Sequence, residues 1–405
     1  MGQTAVIPAQ IVDVAARSLL GNNTASAAAC QTISFSAASS GDVLTVQGDG
    51  SVAFAAPSGG IGGSTGSTDN AVLRADGIGG ATLQSSGWIV PDIYTASPNA
   101  TVNHLSLQAT GSSTNVSVSI VPKGSGAFSL QVPDGTSTGG NARGANAVDL
   151  RTTARSAAAD VASGSASFLG PSATRASGNN SAAIFGSATG DWSICLAAEG
   201  TASGGYSAVI GGRYGVASNN QSLAGGGYNQ ATGESATAVG GDENTASAAY
   251  SSVVGGFRAV ANRYGMDARA SGRFAAAGDC QRVQFVLRNK TTTNSAVTLF
   301  LDGSSTRLTI PSGKILHATV HIIGSKSDGS AVASYMRQVI IKNVGGTTSL
   351  VGTVNTIGTD EAASTSIAIT ADNTNDALDI AVTGITSETW RWSATVYGIE
   401  MAYGT

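Results

Sequence analysis

The chain is predicted to be all-β: an elongated homotrimer with an interwoven β stalk, a trimeric β-solenoid (β-roll) and a C-terminal jelly-roll-like β-sandwich. Three observations predict it. Glycine supplies 54 of 405 residues, while charged residues make up only 11% and aromatics 5%, against a usual charged share of about 25%. Residues 163–276 repeat at intervals of 12–15 residues, a short-period signature of stacked coils. Residues 280–405 alternate apolar and polar positions between Asp-Gly and Ser-Gly turns, the pattern of short antiparallel strands.

Composition also excludes. A formal charge of −4 and the absence of a basic run leave nucleic acid and anionic membrane as poor partners. Cys30, Cys195 and Cys280 lie far apart, in neither a zinc spacing nor a disulfide framework, and read as small buried hydrophobes. The N-terminus lacks a basic segment, and Asp13 and Arg17 interrupt its apolar stretch. Synthesis in a cytoplasm without export by the general route is therefore expected. No run nears the ~18 apolar residues of a membrane span, so no membrane insertion is expected.

Residues 1–56 read as an attachment module. Ile11 to Leu20 carries apolar residues at helical spacing and stops at Gly21, which predicts one short helix. Strands follow at Thr32–Ser36 and Val43–Gln47, the latter turning at Asp49-Gly50 into Ser51–Ala55, a hairpin signal. Residues 57–70 are a Gly/Ser linker by composition. Across the rest of 57–162, short segments such as Ala71–Arg74, Val116–Val121 and Ala127–Val132 are broken by Gly, Asn and Pro. Each is too short to bury a core within one chain, so a thin stalk shared by three chains is expected.

The repeat at 163–276 has eight units, all ending in alanine, from Ala176 and Ala188 to Ala261 and Ala276. Seven begin with Ser or Thr, and four carry a central Gly-Gly, as at Gly211-Gly212 and Gly240-Gly241. A unit this short holds two brief strands and two turns. Paired glycines admit positive φ and close backbone approach at a corner. Stacking at about 4.8 Å per coil makes each coil depend on its neighbours. Residues 277–405 then supply nine candidate strands, from Arg282–Arg288 to Trp390–Ala402, enough for a distal sandwich.

Three stretches carry a resemblance. Val14-Ala15-Ala16-Arg17-Ser18-Leu19-Leu20-Gly21-Asn22, the run Ser67 to Gly77 with Thr82 to Gly87, and Gly139 to Leu150 resemble, in that order, modules recurrent in phage tail fibres and related virion proteins. The 163–276 repeat is similar to the head of trimeric autotransporter adhesins, a trimeric β-roll. The resemblance implies a virion tail component whose N-terminal region docks on another virion protein, of the tail or baseplate rather than the capsid. It implies a distal domain that meets a host surface glycan or receptor. It defines no binding residue, because none of these motifs is a site. The alternatives are a capsid-attached head fibre and a polysaccharide-degrading tailspike.

The chemistry-bearing residues are few. No P-loop, nucleophile elbow or triad is present, so a non-enzyme without cofactor or metal is expected. His317 and His321, four apart on a strand, face one side and would form a ring about a threefold axis, or are simply strand residues. His104 stands alone and reads as structural. Asp191, Glu199, Glu234, Asp242, Glu243 and Asp267 fall at different coil positions, as turn residues do, although an acid and a base within or between chains would suit glycan cleavage. The receptor-binding candidates are Tyr335, Trp390, Trp392, Tyr397 and Tyr403, since Trp and Tyr give large contact area on sugar faces. Trp390 and Trp392 share one strand face, and filling the domain's core is the favoured reading for both over receptor contact.

Overall fold

The computed structural model describes residues 117–403, together with Asn115 and a set of strands ahead of it. Every element named among the described residues is a β-strand, and none is a helix. The chain divides into two compact units, Met1–Ile120 and Val121–Thr405.

The first unit consists of short antiparallel pairings: Ser18–Gly21 with Gln31–Ser34, Val43–Val46 with Val52–Ala55, and Ala71–Asp76 with Thr82–Ile89, the last extended by Gln108–Ala109. The predicted hairpin across Asp49-Gly50 is present. Of the helix expected over Ile11–Leu20, residues 18–20 belong instead to the strand Ser18–Gly21, and 11–17 lie outside the described residues, as do the 57–70 linker, Cys30 and His104. A strand partner at 31–34 satisfies the backbone groups that an isolated helical turn would leave unpaired.

In the second unit, parallel strands stack into a β-solenoid. Its lower rungs are Phe128–Ser129 and Val148–Asp149, which pair in parallel with each other and with Phe168–Leu169. The coil stack thus begins ahead of Ser163. Of the short segments expected at Val116–Val121 and Ala127–Val132, 117–121 form no strand, and Phe128–Ser129 joins this parallel ladder. From there the register runs regularly, Ala208 opposite Leu223, Leu223 opposite Thr237 and Thr237 opposite Ser252.

Two columns fill the narrow core. The first runs through Leu169, Ala183, Cys195, Val209, Ala224, Ala238 and Val253. The second is alanine on every rung from Ala162 to Ala261 (176, 188, 202, 217, 231, 246), each wholly buried. Ala276, the last unit's terminal alanine, lies exposed beyond the column. Two facing strands leave room for no more than a methyl group on one side, so alanine is required there by space. Cys195 occupies one rung of the first column, and burial pushes its thiol up from the usual range; it serves as a small hydrophobe.

Corners are held by side chains that bind backbone. Buried Ser167, Ser181, Ser193 and Ser207 each donate Oγ–H to the carbonyl three residues back, at 2.6–2.7 Å. At the opposite corner, buried Asn229 and Asn244 form a ladder. Asn244 N donates to Asn229 Oδ1 and Ala259 N to Asn244 Oδ1, both at 2.9 Å. Stacking is close enough that a Cβ on Gly178, Gly190 or Gly204 would overlap the carbonyl of the next coil. Of the central pairs, Gly211, Gly212, Gly240 and Gly241 take positive φ as expected, whereas Gly225 does not.

Buried charge closes the stack near both ends. Asp149, fully buried one rung below Leu169, accepts from Arg143 Nε at 2.8 Å and Arg155 Nη2 at 3.1 Å. At the other end, Arg263 and Glu400 form a buried ion pair; Gln281 Nε2 donates to Glu400 Oε1 at 3.1 Å, and Arg263 Nη1 to the Thr309 carbonyl at 3.0 Å. Burial pushes the Arg263 guanidinium below its ordinary pKa, and the Glu400 charge opposes that shift.

Beyond this junction stand two antiparallel sheets where a jelly-roll-like sandwich was expected. In the larger, Cys280–Thr291 pairs Trp390–Ala402, which pairs Lys314–Lys326, which pairs Val332–Val344. The smaller is centred on Ala377–Thr383 and flanked by Ser366–Asp372, Ala296–Thr298 and Leu308–Thr309. Arg269 pairs Arg282 at the join, so the larger sheet continues the solenoid's own ladder.

Two substitutions test this account by thermal unfolding. Gly204→Ala places a methyl group into the next coil's carbonyl and is expected to lower stability by about 1–3 kcal/mol. Glu400→Ala strands the buried Arg263 charge and is expected to lower it by about 3–5 kcal/mol, whereas a shift under a tenth of that would contradict the capping role.

Candidate functional site

The structure separates the five aromatic candidates. Trp390 is fully buried with Nε1–H donating to Glu388 Oε2 at 2.9 Å, and Trp392 is buried with Nε1–H donating to Thr291 Oγ1 at 3.0 Å. Their rings stack with centroids 5.7 Å apart. Tyr335 is buried, its hydroxyl 2.7 Å from Thr365 Oγ1. Tyr403, half-buried, donates its hydroxyl hydrogen to the Asn343 carbonyl at 2.6 Å. The expectation of exposed aromatics is therefore corrected for Tyr335, Trp390 and Trp392, which pack the sheet core. Tyr397 stands outward, with the Arg282 guanidinium 5.8 Å from its ring.

His317 and His321 share the outward face of the larger sheet, and both are exposed. His317 Nε2 lies 3.0 Å from Gln338 Nε2. An open cavity of about 430 Å³ is lined by His317, Thr319, Gln338, Tyr397 and Ile399.

Outward apolar residues were missed by sequence reasoning. Ile184, Leu196, Ile210 and Val254 stand exposed on one solenoid face. They flank inward Ala183, Cys195, Val209 and Val253, so apolar residues occupy both sides of the same strands. On the larger sheet, exposed Ile399 lies between Arg282 and His317. The available signal was the doubled apolar residue before Gly-Gly, as at Val209-Ile210 and Val253-Val254: adjacent strand residues point to opposite faces, so both cannot be inside.

The coil corners carry the exposed charge. Arg213 Nη2 donates to Glu199 Oε1 at 2.9 Å and to the Tyr214 hydroxyl at 2.7 Å, with the guanidinium 4.4 Å above the Tyr214 ring. Tyr214 packs on Tyr228 of the next coil, centroids 4.9 Å apart. One pair of coils further, Arg258 grips Glu243 with two bonds of 2.6 and 2.9 Å. The Tyr214 hydroxyl and then Arg213 hold the Glu199 carboxyl below its ordinary range, and Arg258 does the same for Glu243. Both are built as anions. In glycosidic chemistry such carboxylates suit a base or nucleophile, and the general acid must come from a carboxyl not so paired. Of the remaining carboxylates, Asp191 Oδ1 accepts from Asn179 N at 2.8 Å, and Asp267 accepts from the Ser252 hydroxyl.

No family model matches the chain, and no curated protein does. Among solved structures it is similar to three tailspikes. One is the tailspike of Acinetobacter baumannii bacteriophage Fri1, a capsular polysaccharide depolymerase, at TM-score 0.22 and 8% identity over 57% of this chain and 46% of that one. The tailspike of Acinetobacter phage vB_ApiP_P1 gives TM-score 0.19 and 13% identity over 58% and 56%. That of Acinetobacter baumannii phage AM24 gives 0.17 and 8% over 57% and 54%. The chain spans about half the length of these tailspikes. Likenesses of this strength leave its activity to be argued from its own residues.

The non-enzyme expectation read from composition is withdrawn: the first of these tailspikes is a capsular polysaccharide depolymerase. Composition averages over a whole chain, whereas a glycosidic cleft needs only two carboxylates.

The corner clamps carry a pH dependence of defined sign. Glu243 has a folded pKa below its unfolded one, so its contribution is complete above the unfolded value and is lost as pH falls through the folded one. Melting temperature is expected to decline less steeply below pH 5 in Glu243→Gln than in the parent, by a small margin because the clamp is exposed.

Proposed function

We propose that the chain is a phage tail attachment protein of the tailspike kind: a homotrimeric rod that engages host-surface polysaccharide and acts on it. The observation that carries this reading is the apolar outward face. A single chain leaves Ile184, Leu196, Ile210 and Val254 in water along one side of the solenoid, and Ile399 beyond the junction. Exposed apolar residues aligned over many rungs mark a surface meant to be covered. Three copies meeting on these faces about one axis would bury them together. The Gly/Ser/Ala-rich coils then form a rigid spine, its corner side chains facing outward.

Three sequence modules resembling those of phage fibres support the placement on a virion tail, with residues 1–56 as the attachment end and 277–405 as the distal domain. Multivalency is the mechanism of attachment: three weak contacts on one rod gain avidity without any new contact. The closest alternative is a tail fibre of the same build, distinguished by whether host polysaccharide is shortened.

Light scattering on the purified chain is expected to give a mass near 120 kDa, three times 39.9 kDa. Ile210→Asp with Val254→Asp is expected to reduce this to one chain while the buried columns stay folded. Incubation with capsular polysaccharide is expected to release oligosaccharide. A stable parental monomer would sink the trimer, and intact polymer at every capsule type tested would remove the spike reading.

A further inference from the structure

Seventeen non-glycine residues of the described chain take positive φ, and five of them are the aromatics Trp192, Tyr206, Tyr214, Tyr228 and Tyr250. This left-handed region suits glycine and tolerates asparagine, and a bulky side chain there is an outlier held under strain. The same corner on other coils carries Ala166 at φ 51°, Asn180 at 54°, Gln221 at 58°, Ser235 at 52° and Gly265 at 59°, so the corner imposes the conformation and does not by itself call for an aromatic. The aromatics gain nothing in burial for their strain: Trp192 is 55% exposed and Tyr206 65%. Strained, exposed aromatics on a rigid scaffold have a purpose other than folding.

Among these residues, Trp192 and Tyr206 form the open pair. Tyr214 already has Arg213 over its face, and Tyr250 meets Tyr264 edge-on. Trp192 and Tyr206 lie on adjacent coils with ring planes within 5° of parallel and centroids 6.3 Å apart. No guanidinium covers either ring among the described contacts.

The flanking side chains are pinned. Asn179 Oδ1 accepts from Ser165 N at 3.0 Å, Asp191 Oδ1 from Asn179 N at 2.8 Å, and Asn220 Oδ1 from Gly205 N at 3.2 Å. Each bond fixes one side-chain atom on the backbone of a neighbouring coil. The second atom, Asn179 Nδ2, Asp191 Oδ2 or Asn220 Nδ2, has no hydrogen-bond partner among the described residues. Asp191 precedes Trp192, Asn179 O accepts from Trp192 N at 2.8 Å, and Asn220 holds Gly205, which precedes Tyr206, so two donors and one acceptor belong to the same corner as the two rings.

We infer that the Trp192–Tyr206 corner is a saccharide-binding subsite that stacks pyranose rings of a host-surface polysaccharide. The C–H face of a pyranose packs on an aromatic ring, and its hydroxyls match the Asn donors and the Asp acceptor. Successive coils lie about 4.8 Å apart, close to the length of one sugar residue, so adjacent coils address adjacent sugars. This inference deepens the attachment reading and rests on it.

The test uses the full chain on an array of purified bacterial capsular and O-antigen polysaccharides. Trp192→Asn and Tyr206→Asn give the corner the residue it already carries at Asn180, so each variant is expected to melt at or above the parental temperature. Binding to the polysaccharide that the parent recognises is expected to fall at least tenfold in each. Trp390 and Trp392 are buried and Trp88 is common to parent and variant, so saturating polysaccharide is also expected to shift parental tryptophan emission to the blue, and Trp192→Asn to remove the part of that shift due to Trp192. Undiminished binding by folded, trimeric variants would overturn the subsite and leave the attachment reading standing. Variants that fall to monomers would overturn it too, by making the corner a subunit contact. A parent that binds no polysaccharide on the array and adsorbs to no cells would overturn both.

Discussion

The interval between coils governs this molecule. Hydrogen-bonded strands cannot sit closer or further apart than about 4.8 Å, and the parallel ladder repeats that interval from Phe128–Ser129 to Asp267–Arg269. Wherever the chain turns, backbone must lie directly on backbone. Gly178, Gly190 and Gly204 lack a Cβ where the next carbonyl sits. Inside, two strands facing each other across a thin coil leave the space of a methyl group, and alanine fills it from Ala162 to Ala261. The same geometry denies the coil a large core of its own, so its stability is shared with the coils above and below.

That dependence explains the ends. A stack of coils exposes unpaired edges and an open core at its first and last rung, the liability of any solenoid. Here Asp149 between Arg143 and Arg155 closes the core one rung in from the first, and Arg263 with Glu400 and Gln281 closes the other end. Buried ion pairs are weak sources of net stability, but once desolvated they tolerate no missing partner. They are suited to marking where stacking stops. At the second closure, the Arg269–Arg282 pairing carries the ladder into the C-terminal sheet.

Much of the fold was legible in the sequence because steric demands fall on fixed residue types. Alanine at the end of each unit, glycine at corners and the Asp49-Gly50 hairpin all reflect space or dihedral requirements local to the residue. The C-terminal strands were legible for the same reason, since Ala377–Thr383 and Trp390–Ala402 alternate cleanly between turns. Facing was not legible. In Trp390–Ala402, buried Trp390, Trp392, Val396 and Glu400 alternate with outward Tyr397, Ile399 and Met401. An inward glutamate and outward aliphatics reverse the usual signal. Glu400 is inside because Arg263, far away in sequence, waits for it. The lower rungs were hidden by spacing: twenty residues separate Phe128 from Val148, longer than any unit of the regular repeat, so periodicity failed where the loop lengthened. Trp192 and Tyr206 escaped notice because positive φ leaves no mark on a side-chain pattern.

One continuous ladder, with buried charge near both ends, makes the coils a single cooperative body. Hydrogen–deuterium exchange on the intact protein tests it most directly. Strand amides from Val148–Asp149 to Val260–Ala261 are predicted to exchange together, slowly and at one common rate set by opening of the whole stack. Coils that exchange independently, each at its own rate, would contradict it.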